Sequence, residues 1–234
     1  MSGVLWVTGA GSGMGAAISV AAAEAGWRVA LSGRRREPLE AVAARCGEGA
    51  AVIPLDVQDP GAAAPALDAV RERLGPVTGL ALAAGLNVPR RSWAEQSLTD
   101  FQAVVATNLT GVAAVVDAAL PDLRAAAGTA VIVSSFSAWA YSAVAGVAYG
   151  ASKTALGTLC RSLNAEEERH GVRATHLCPG DVATDFLDAR PEVPDAAARA
   201  RMLQPDDVAR AALFALSAPP HVRVDELVIS PCRP

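Results

Sequence analysis

The chain has 234 residues, of which 52% are hydrophobic and 19% are charged, and its formal net charge is −4. This composition is typical of a folded globular domain with a large core and argues against intrinsic disorder. The acidic balance argues against nucleic acid as a partner, and no uninterrupted apolar run reaches the roughly 18 residues of a membrane span. The first residues lack the positive region of a signal peptide, so we expect a cytoplasmic protein with no membrane partner.

The cysteine and histidine residues show no metal-binding spacing along the chain. We expect the cysteines to be reduced and mostly part of the core, and we expect no metal site. The residues concerned are Cys46, Cys160, Cys178, Cys232, His170, His176 and His221.

Short apolar runs alternate with longer amphipathic segments along the whole chain. The runs have the length of strands and cover residues 4–9, 27–33, 50–56, 79–85, 130–135, 172–180 and 226–231. The predicted helices cover about 13–26, 37–46, 60–74, 98–126, 148–170 and 205–217. Such alternation predicts a seven-stranded parallel sheet with helices on both faces, formed by one α/β domain over residues 1–234. The irregular segment at about 181–204 is an insertion at a strand's carboxyl end, where a substrate lid would lie.

A glycine-rich loop, TGAGSGMG at residues 8–15, follows the first strand and opens the first helix. Gly9, Gly13 and Gly15 have the spacing TGxxxGxG, although Gly11, Gly13 and Ala16 also satisfy the usual dinucleotide fingerprint. Glycines allow the backbone to approach a pyrophosphate, and the helix N-terminus offers N–H groups to it. The loop therefore predicts nucleotide binding, with a plain tight turn as the alternative.

The end of the second strand distinguishes between two cofactors. An NAD enzyme usually has an acidic residue there, but this strand ends in VALSG and continues into Arg34, Arg35 and Arg36. Arginine offers donors that match a 2′-phosphate. We therefore favour NADP(H), with Arg34 as the main contact and Ser32 as a helper. If Arg34 merely lies in a solvated helix start, NAD(H) is the cofactor instead.

Tyr149 and Lys153 lie four residues apart on one helix face, and Lys153 is the only lysine of the chain. Proton transfer to a carbonyl near neutral pH requires lowering a tyrosine pKa from about 10 by roughly three units, or about 4 kcal/mol. An ammonium about 4 Å from a phenolate supplies roughly that energy at an effective dielectric constant of 20. The pair predicts an acid–base site rather than a surface lysine. Ser134 and Ser135, at the end of the fifth strand, could donate to the same carbonyl.

Taken together, these motifs resemble the short-chain dehydrogenase/reductase family of single-domain, Rossmann-type oxidoreductases. The resemblance covers nearly the whole chain. It rests on TGAGSGMG (8–15), LD (55–56), ALAAG (81–85), TNLTG (107–111), VIVSS (131–135), YGASK (149–153) and CPGDVAT (178–184).

The resemblance implies hydride transfer between a nicotinamide and a carbonyl–alcohol pair. Tyr149 would be the acid or base, Lys153 would lower its pKa and hold the ribose, Ser135 would polarise the carbonyl, and Asn108 would bend its helix and hold a water. Cofactor contacts are implied for Gly9, Ser12, Gly13, Met14, Gly15, Arg34, Asp56, Val57, Ala84, Gly85, Tyr149, Lys153, Pro179, Gly180, Val182 and Thr184. A homo-oligomer, dimer or tetramer, is implied through helices 98–126 and 148–170.

The chain departs from the family pattern at three places. Leu82 and Ala83 replace two asparagines, so we expect local repacking. Ser135 and Tyr149 are 14 residues apart, one more than usual, so loop 136–146 must bulge and Ser137 is the second candidate for Ser135's role. The ending DELVISP resembles that of NADP-dependent hydroxy-acid dehydrogenases in the family.

The substrate is expected to be a small carbonyl or alcohol compound. Aromatic residues around the predicted site suggest an apolar or cyclic compound, with packing under the lid as the alternative, whereas nearby arginines leave an anionic one open. The aromatic residues are Trp139, Tyr141, Phe186 and, less directly, Trp93, with the apolar Leu187 beside them; the arginines are Arg90, Arg91 and Arg190. Two other functions stay open: an NAD-dependent secondary-alcohol dehydrogenase and a non-catalytic nucleotide-sensing protein.

Overall fold

A computed structural model describes residues 3–232, and seven parallel strands within them form one sheet. Across the sheet the strand order is β3-β2-β1-β4-β5-β6-β7. This finding confirms the predicted doubly wound, Rossmann-type fold. The strands are β1 (Val4–Thr8), β2 (Arg28–Ser32), β3 (Ala50–Val52), β4 (Gly79–Leu82), β5 (Thr129–Val133), β6 (Arg173–Pro179) and β7 (Glu226–Ile229).

Helices follow the strands in the predicted alternation, with short additions that the sequence did not suggest. The predicted helix at 60–74 begins as a 3-10 turn at Pro60–Ala62, and the one at 148–170 ends in another at Glu168–His170. The α-helices are α1 (Gly13–Glu24), α2 (Arg36–Cys46), α3 (Ala63–Leu74), α4 (Leu98–Val105), α5 (Gly111–Ala126), α6 (Phe136–Trp139), α7 (Val147–Glu166), α8 (Ala196–Ala200) and α9 (Pro205–Leu216).

Two hydrophobic layers cover the two faces of the sheet. Successive residues of β1 alternate between them: Trp6 faces the layer formed by α3, α5 and α7, and Leu5 faces the layer formed by α1, α2 and α9. Both faces are therefore buried, which explains why the strands read as continuous apolar runs. The chain winds in opposite directions from β1 and β4, which are neighbours, and so leaves a crevice at their carboxyl ends.

The predicted helix at 98–126 contains a π-helical turn at Ala106–Thr110 that joins α4 to α5. Asn108 lies in this turn, as expected for a residue that disturbs its helix. By length and composition alone, Leu98–Ala126 is also long and apolar enough to cross a membrane, although charged residues interrupt its apolar sequence. This is weak evidence for a span, because a core helix passes the same test and the α5 part packs on the sheet.

The two segments expected to be irregular contain short ordered elements. Loop 136–146 holds α6 and a 3-10 turn at Ala143–Ala145. Segment 181–204 holds a 3-10 turn at Asp185–Ala189 and α8, and a bridge between Val182 and Leu203 closes its base.

Candidate active site

The glycine loop lies at the crevice and is shaped by close contacts that only glycine allows. Gly9 has φ +67°, and a Cβ atom there would lie 2.7 Å from the Ala84 nitrogen. A Cβ atom on Gly15 would lie 2.2 Å from the Gly9 oxygen. Ser12, the N-cap of α1, makes no capping hydrogen bond with its side chain, so it does not compete for the first N–H groups of the helix. This cradle fits a pyrophosphate.

On one side of the loop lies a cavity of about 260 Å³, here called the Arg34 cavity. It contains the predicted residues Gly9, Ser12, Arg34, Asp56, Val57, Ala84 and Gly85, together with Arg35 and Leu55. Ser32 does not reach it: its buried hydroxyl donates to the Ile53 carbonyl at 2.7 Å and accepts from the Trp6 indole at 2.8 Å. The expectation that Ser32 helps to bind a phosphate is wrong, because the strand turns this side chain into the core.

On the other side of the loop lies a cavity of about 170 Å³, here called the Lys153 cavity. Its lining includes Gly9, Ser12, Gly13, Met14, Gly15, Ala84, Gly85, Tyr149, Lys153, Thr184 and Phe186. The Thr184 methyl group would be 3.2 Å from a Cβ atom on Gly13, so the segment after β6 packs directly on the glycine loop. The two cavities share Gly9, Ser12, Ala84 and Gly85 and together form one extended groove.

Tyr149 and Lys153 meet at the inner end of this groove. The Lys153 ammonium is buried, donates to the Val133 carbonyl at 2.8 Å and lies 5.8 Å from the centroid of the Tyr149 ring. Burial lowers the pKa of Lys153 to about 8.

The pKa of Tyr149 departs from the sequence-based expectation. Burial raises it, while a hydrogen bond with Ser135 and the charges of Arg190 and Arg91 act in the lowering direction. The Tyr149 pKa is therefore raised and not lowered as the spacing of Tyr149 and Lys153 predicted, since desolvation of the phenolate outweighs the charges around it.

The two candidate serines lie together at the start of α6. The Ser135 oxygen accepts from the Ser137 hydroxyl at 3.0 Å and from the Ser137 backbone N–H at 3.2 Å. Ser135 is thus placed beside Tyr149 with its own hydroxyl proton available to donate, while Ser137 donates to the Ser135 oxygen. Ser134 is buried and donates to the Lys153 carbonyl at 3.0 Å, so its hydroxyl is used within the fold.

Asn108 is fully buried and holds the loop after β4. Its side-chain oxygen accepts from the Leu86 N–H at 2.7 Å, and its amide donates to the Leu86 carbonyl at 2.9 Å and to the Ser152 hydroxyl at 3.1 Å. The predicted role of Asn108 in holding a water stays a prediction. Its side chain positions Leu86, which lines the Arg34 cavity, relative to α7.

A third cavity of about 450 Å³, here called the Ser135 cavity, opens in front of Tyr149. Predicted residues in its lining are Ser135, Ser137, Tyr141, Arg91, Arg190, Phe186, Pro179, Gly180, Val182 and Thr184. Trp139 lies outside it, with its ring 5.2 Å from that of Phe136, and Trp93 is 86% exposed. Phe136, Asn87 and Leu187 also line the cavity.

His176, Cys178 and Glu226 form a cluster whose ligand atoms lie within 4.8 Å of one another. The His176 Nδ1 is 2.9 Å from a Glu226 oxygen and 3.4 Å from the Cys178 sulfur. No spacing along the chain indicated this cluster, because β6 and β7 bring together residues 50 positions apart. The four cysteines are free thiols within residues 3–232.

Comparison with known proteins assigns the family. A family model described as short chain dehydrogenase matches residues 3–194. Serine 3-dehydrogenase of Agrobacterium fabrum is 32% identical over 99% of this chain and 94% of that protein. Sulfoacetaldehyde reductase 2 of Chromohalobacter salexigens is 32% identical over 100% of this chain and 96% of that protein. The chain belongs to the short-chain dehydrogenase family and is an oxidoreductase of that family.

Solved structures agree with this assignment. An alcohol dehydrogenase from the archaeon Thermococcus sibiricus, complexed with 5-hydroxy-NADP, superposes with a TM-score of 0.86 at 29% identity. The comparison covers 100% of this chain and 99% of that chain.

Proposed function

We propose that the protein is an NADP(H)-dependent oxidoreductase that transfers a hydride between the nicotinamide and a small ketone or aldehyde and its alcohol. The observation that carries this proposal is the position of Tyr149, which lines both the Lys153 cavity and the Ser135 cavity. A phenol at that junction can reach a carbonyl oxygen in one cavity while a cofactor lies in the other.

The groove formed by the Arg34 and Lys153 cavities would hold the cofactor. The glycine loop and the start of α1 would bind the pyrophosphate, with contacts from Ser12, Gly13, Met14 and Gly15. Asp56 and Val57 would contact the adenine end, Ala84, Gly85 and Lys153 the nicotinamide ribose, and Val182 and Thr184 the nicotinamide amide. A bound NADPH would supply the hydride, that is one proton and two electrons, to the carbonyl carbon.

Tyr149 and the side chains around it would carry out the proton transfer that accompanies the hydride transfer. Tyr149 donates its proton to the carbonyl oxygen in reduction and takes it back in oxidation. The Ser135 hydroxyl donates to the same oxygen and stabilises its developing charge. Because burial opposes ionisation of Tyr149, the charges of Arg91 and Arg190 and, in this proposal, that of Lys153 would have to offset that desolvation. Asn108 acts as a positioning residue through Leu86 and Ser152.

The preference for NADP(H) rests on Arg34. It lines its cavity together with Arg35, and the only acidic residue in that lining is Asp56 after β3, not a carboxylate at the end of β2. A guanidinium in that place favours a 2′-phosphate. Two similar structures, at 29% and 26% identity, hold 5-hydroxy-NADP and NADP⁺.

Two further proposals concern the rest of the chain. Segment 181–204 would act as a substrate lid, since Phe186 and Arg190 from it line the Ser135 cavity. The protein would form a homo-oligomer through the outer faces of α4, α5 and α7. Leu98 at the start of α4 is 71% exposed, which suits such a contact.

The test is a titration of the purified protein with NADPH and, separately, with NADH, read by energy transfer from tryptophan to the reduced nicotinamide. Tighter binding of NADPH supports the proposal, and tighter binding of NADH favours an NAD-dependent secondary-alcohol dehydrogenase. A Tyr149→Phe variant should bind NADPH like the wild type and lose about 10²-fold or more of its carbonyl reduction. Unchanged reduction by this variant, or binding of neither nucleotide, would overturn the proposed mechanism and favour a non-catalytic protein.

A further inference from the structure

Arg91 is a buried cation without an acidic partner. Only 7% of the residue is exposed, and its guanidinium donates to three backbone carbonyls, those of Val88 (2.8 Å), Val144 (3.3 Å) and Ala189. Within residues 3–232, no carboxylate lies at ion-pair distance from it. A charge that is removed from water and paired only with neutral dipoles is expensive for the fold, so its presence calls for an explanation.

A second arginine lies in the same cavity. Arg190 comes from the segment after β6, pairs with the half-exposed Asp181 and lines the Ser135 cavity together with Arg91. The repulsion between the two cations adds to burial in lowering the pKa of Arg91. Two guanidinium groups and one carboxylate leave this wall of the cavity with a net positive charge.

The rest of the cavity is suited to a short polar molecule. Tyr149 and Ser135, the proposed acid and its helper, line the cavity together with the Arg91–Arg190 pair. Phe186 lies against Tyr149 with the ring centroids 5.9 Å apart and covers the site from the lid segment. Asp181 is the only acidic side chain in the lining, and it is already paired with Arg190.

We infer that Arg91 and Arg190 form a subsite for the acid group of the substrate, a carboxylate or a sulfonate, and that they hold its carbonyl group against Tyr149. A planar guanidinium binds either anion through two parallel hydrogen bonds, and the cavity already removes it from water. This inference rests on the proposed function for the reaction and adds the class of substrate: short oxo acids and hydroxy acids, rather than neutral ketones.

The first experiment compares three aldehydes of similar length with NADPH: 4-oxobutanoate, 3-oxopropane-1-sulfonate and neutral butanal. The wild type should reduce at least one of the acids with a kcat/KM about 30-fold or more above that for butanal. The two acids distinguish a carboxylate subsite from a sulfonate subsite. Equal values for the acids and for butanal, or a preference for butanal, would overturn the inference.

Substitutions of single arginines test whether the preference for the acid depends on Arg91 and Arg190. Arg91→Gln and Arg190→Gln should each remove most of the preference for the acid, measured as the ratio of kcat/KM for the acid to kcat/KM for butanal, because any effect of the lost charge on Tyr149 acts on both substrates alike. Arg90→Gln is the matched control, since Arg90 is exposed and does not line the cavity. If Arg91→Gln fails to fold because its three carbonyl partners are lost, Arg190→Gln decides. A preference that survives in both arginine variants would contradict the subsite.

A binding measurement separates this inference from the proposed reaction. The unreactive anions butanoate and propane-1-sulfonate are titrated calorimetrically into the protein with and without NADPH, with butanamide as the neutral control. Binding of an anion, but not of butanamide, that is lost in Arg190→Gln supports the subsite even if no aldehyde is reduced. Absence of anion binding in the wild type contradicts the subsite, even if butanal is reduced.

Discussion

Asn108 and Leu86 exchange two hydrogen bonds, from the Leu86 N–H to the side-chain oxygen of Asn108 at 2.7 Å and from the Asn108 amide to the Leu86 carbonyl at 2.9 Å. The Asn108 side chain therefore satisfies the backbone N–H and C=O of Leu86, which lies outside the strands. Asn164 makes a similar pair of hydrogen bonds with Ala174 of β6, with distances of 2.6 and 2.9 Å. The first pair lies beside the proposed cofactor groove, and the second lies at the start of β6.

Asn108→Ala should weaken both the fold and the cofactor site. It leaves the partly buried N–H and C=O of Leu86 without their partners, which costs roughly 1–3 kcal/mol of unfolding free energy. Because Leu86 lines the Arg34 cavity, the affinity for NADPH should fall as well. Chemical denaturation and the NADPH titration measure the two effects.

Asn164→Ala is the matched control for this prediction. It removes an equivalent pair of buried hydrogen bonds, so it should lose a similar amount of stability. Asn164 lines none of the three cavities, and the affinity for NADPH should stay at the wild-type level under conditions where the variant is folded. An equal loss of NADPH affinity in both variants would show that Asn108 acts only through global stability.

The fold was predictable because its signals are local. Each strand is a short apolar run that ends in a turn-forming residue, and the alternation of strands and helices permits few topologies. The glycine loop, Tyr149, Lys153 and Ser135 were also found from sequence, since the first helix and α7 each place their motif at the same edge of the sheet.

The features that were missed depend on contacts between distant parts of the chain. The cluster of His176, Cys178 and Glu226 exists only because β6 and β7 are neighbours. Whether Trp139 faced a cavity or solvent depended on the path of a loop, and the pKa of Tyr149 depends on its burial. The wrong expectation for Ser32 could have been avoided. Side chains alternate along a strand, and this alternation places Ser32 toward Trp6 and away from the groove.

Arg34→Ser should reduce the affinity for NADPH about tenfold or more and change the affinity for NADH little, because only NADPH carries the 2′-phosphate that Arg34 would bind. The two dissociation constants are measured by the same fluorescence titration. Arg36→Ser is the control, since Arg36 pairs with Glu40 at 3.4 Å and does not line the Arg34 cavity.

Arg35 is the alternative candidate for the contact with the 2′-phosphate. It lines the same cavity as Arg34. If Arg34→Ser leaves the ratio of the two dissociation constants unchanged and Arg35→Ser alters it, the phosphate contact belongs to Arg35. A ratio that is unchanged in both variants would remove the basis for preferring NADP(H).

Ser135→Ala should lower kcat/KM for carbonyl reduction by about 10²-fold, because the hydroxyl that would stabilise the developing oxyanion is lost. Ser137→Ala should have a smaller effect, since Ser137 touches the site only by donating to Ser135 at 3.0 Å. Loss of Ser135 also removes a hydrogen bond that lowers the pKa of Tyr149, so the alkaline limb of the pH–rate profile should move to higher pH. A larger loss of activity in Ser137→Ala than in Ser135→Ala would exchange their roles.

Lys153→Arg keeps the charge but should reduce turnover by about 10²-fold or more, while NADPH binding is affected less. The ammonium is buried and donates to the Val133 carbonyl at 2.8 Å, and a guanidinium is larger, planar and directs its donors differently. Turnover is compared with that of Arg161→Lys, an exposed site on the same helix where the reverse exchange should have no effect. Near-normal turnover of Lys153→Arg would refute the need for a compact ammonium.

Lys153 should also affect stability in a defined pH window. Its pKa is about 8 in the folded protein and 10.5 when unperturbed, so between these values the unfolded chain binds a proton that the folded chain has released. Unfolding free energy contributed by this group therefore rises with pH across that window, by up to about 3 kcal/mol. Below pH 8 both states are protonated and the contribution is constant.

In Lys153→Met, which fills the same space without a titratable group, this rise should be absent. Buried thiols and Tyr149 titrate at alkaline pH in both proteins, so the informative quantity is the difference in unfolding free energy between wild type and variant, measured by denaturant titration from pH 7 to pH 10.5. A difference that stays flat over this range would mean that the fold holds the Lys153 ammonium charged throughout.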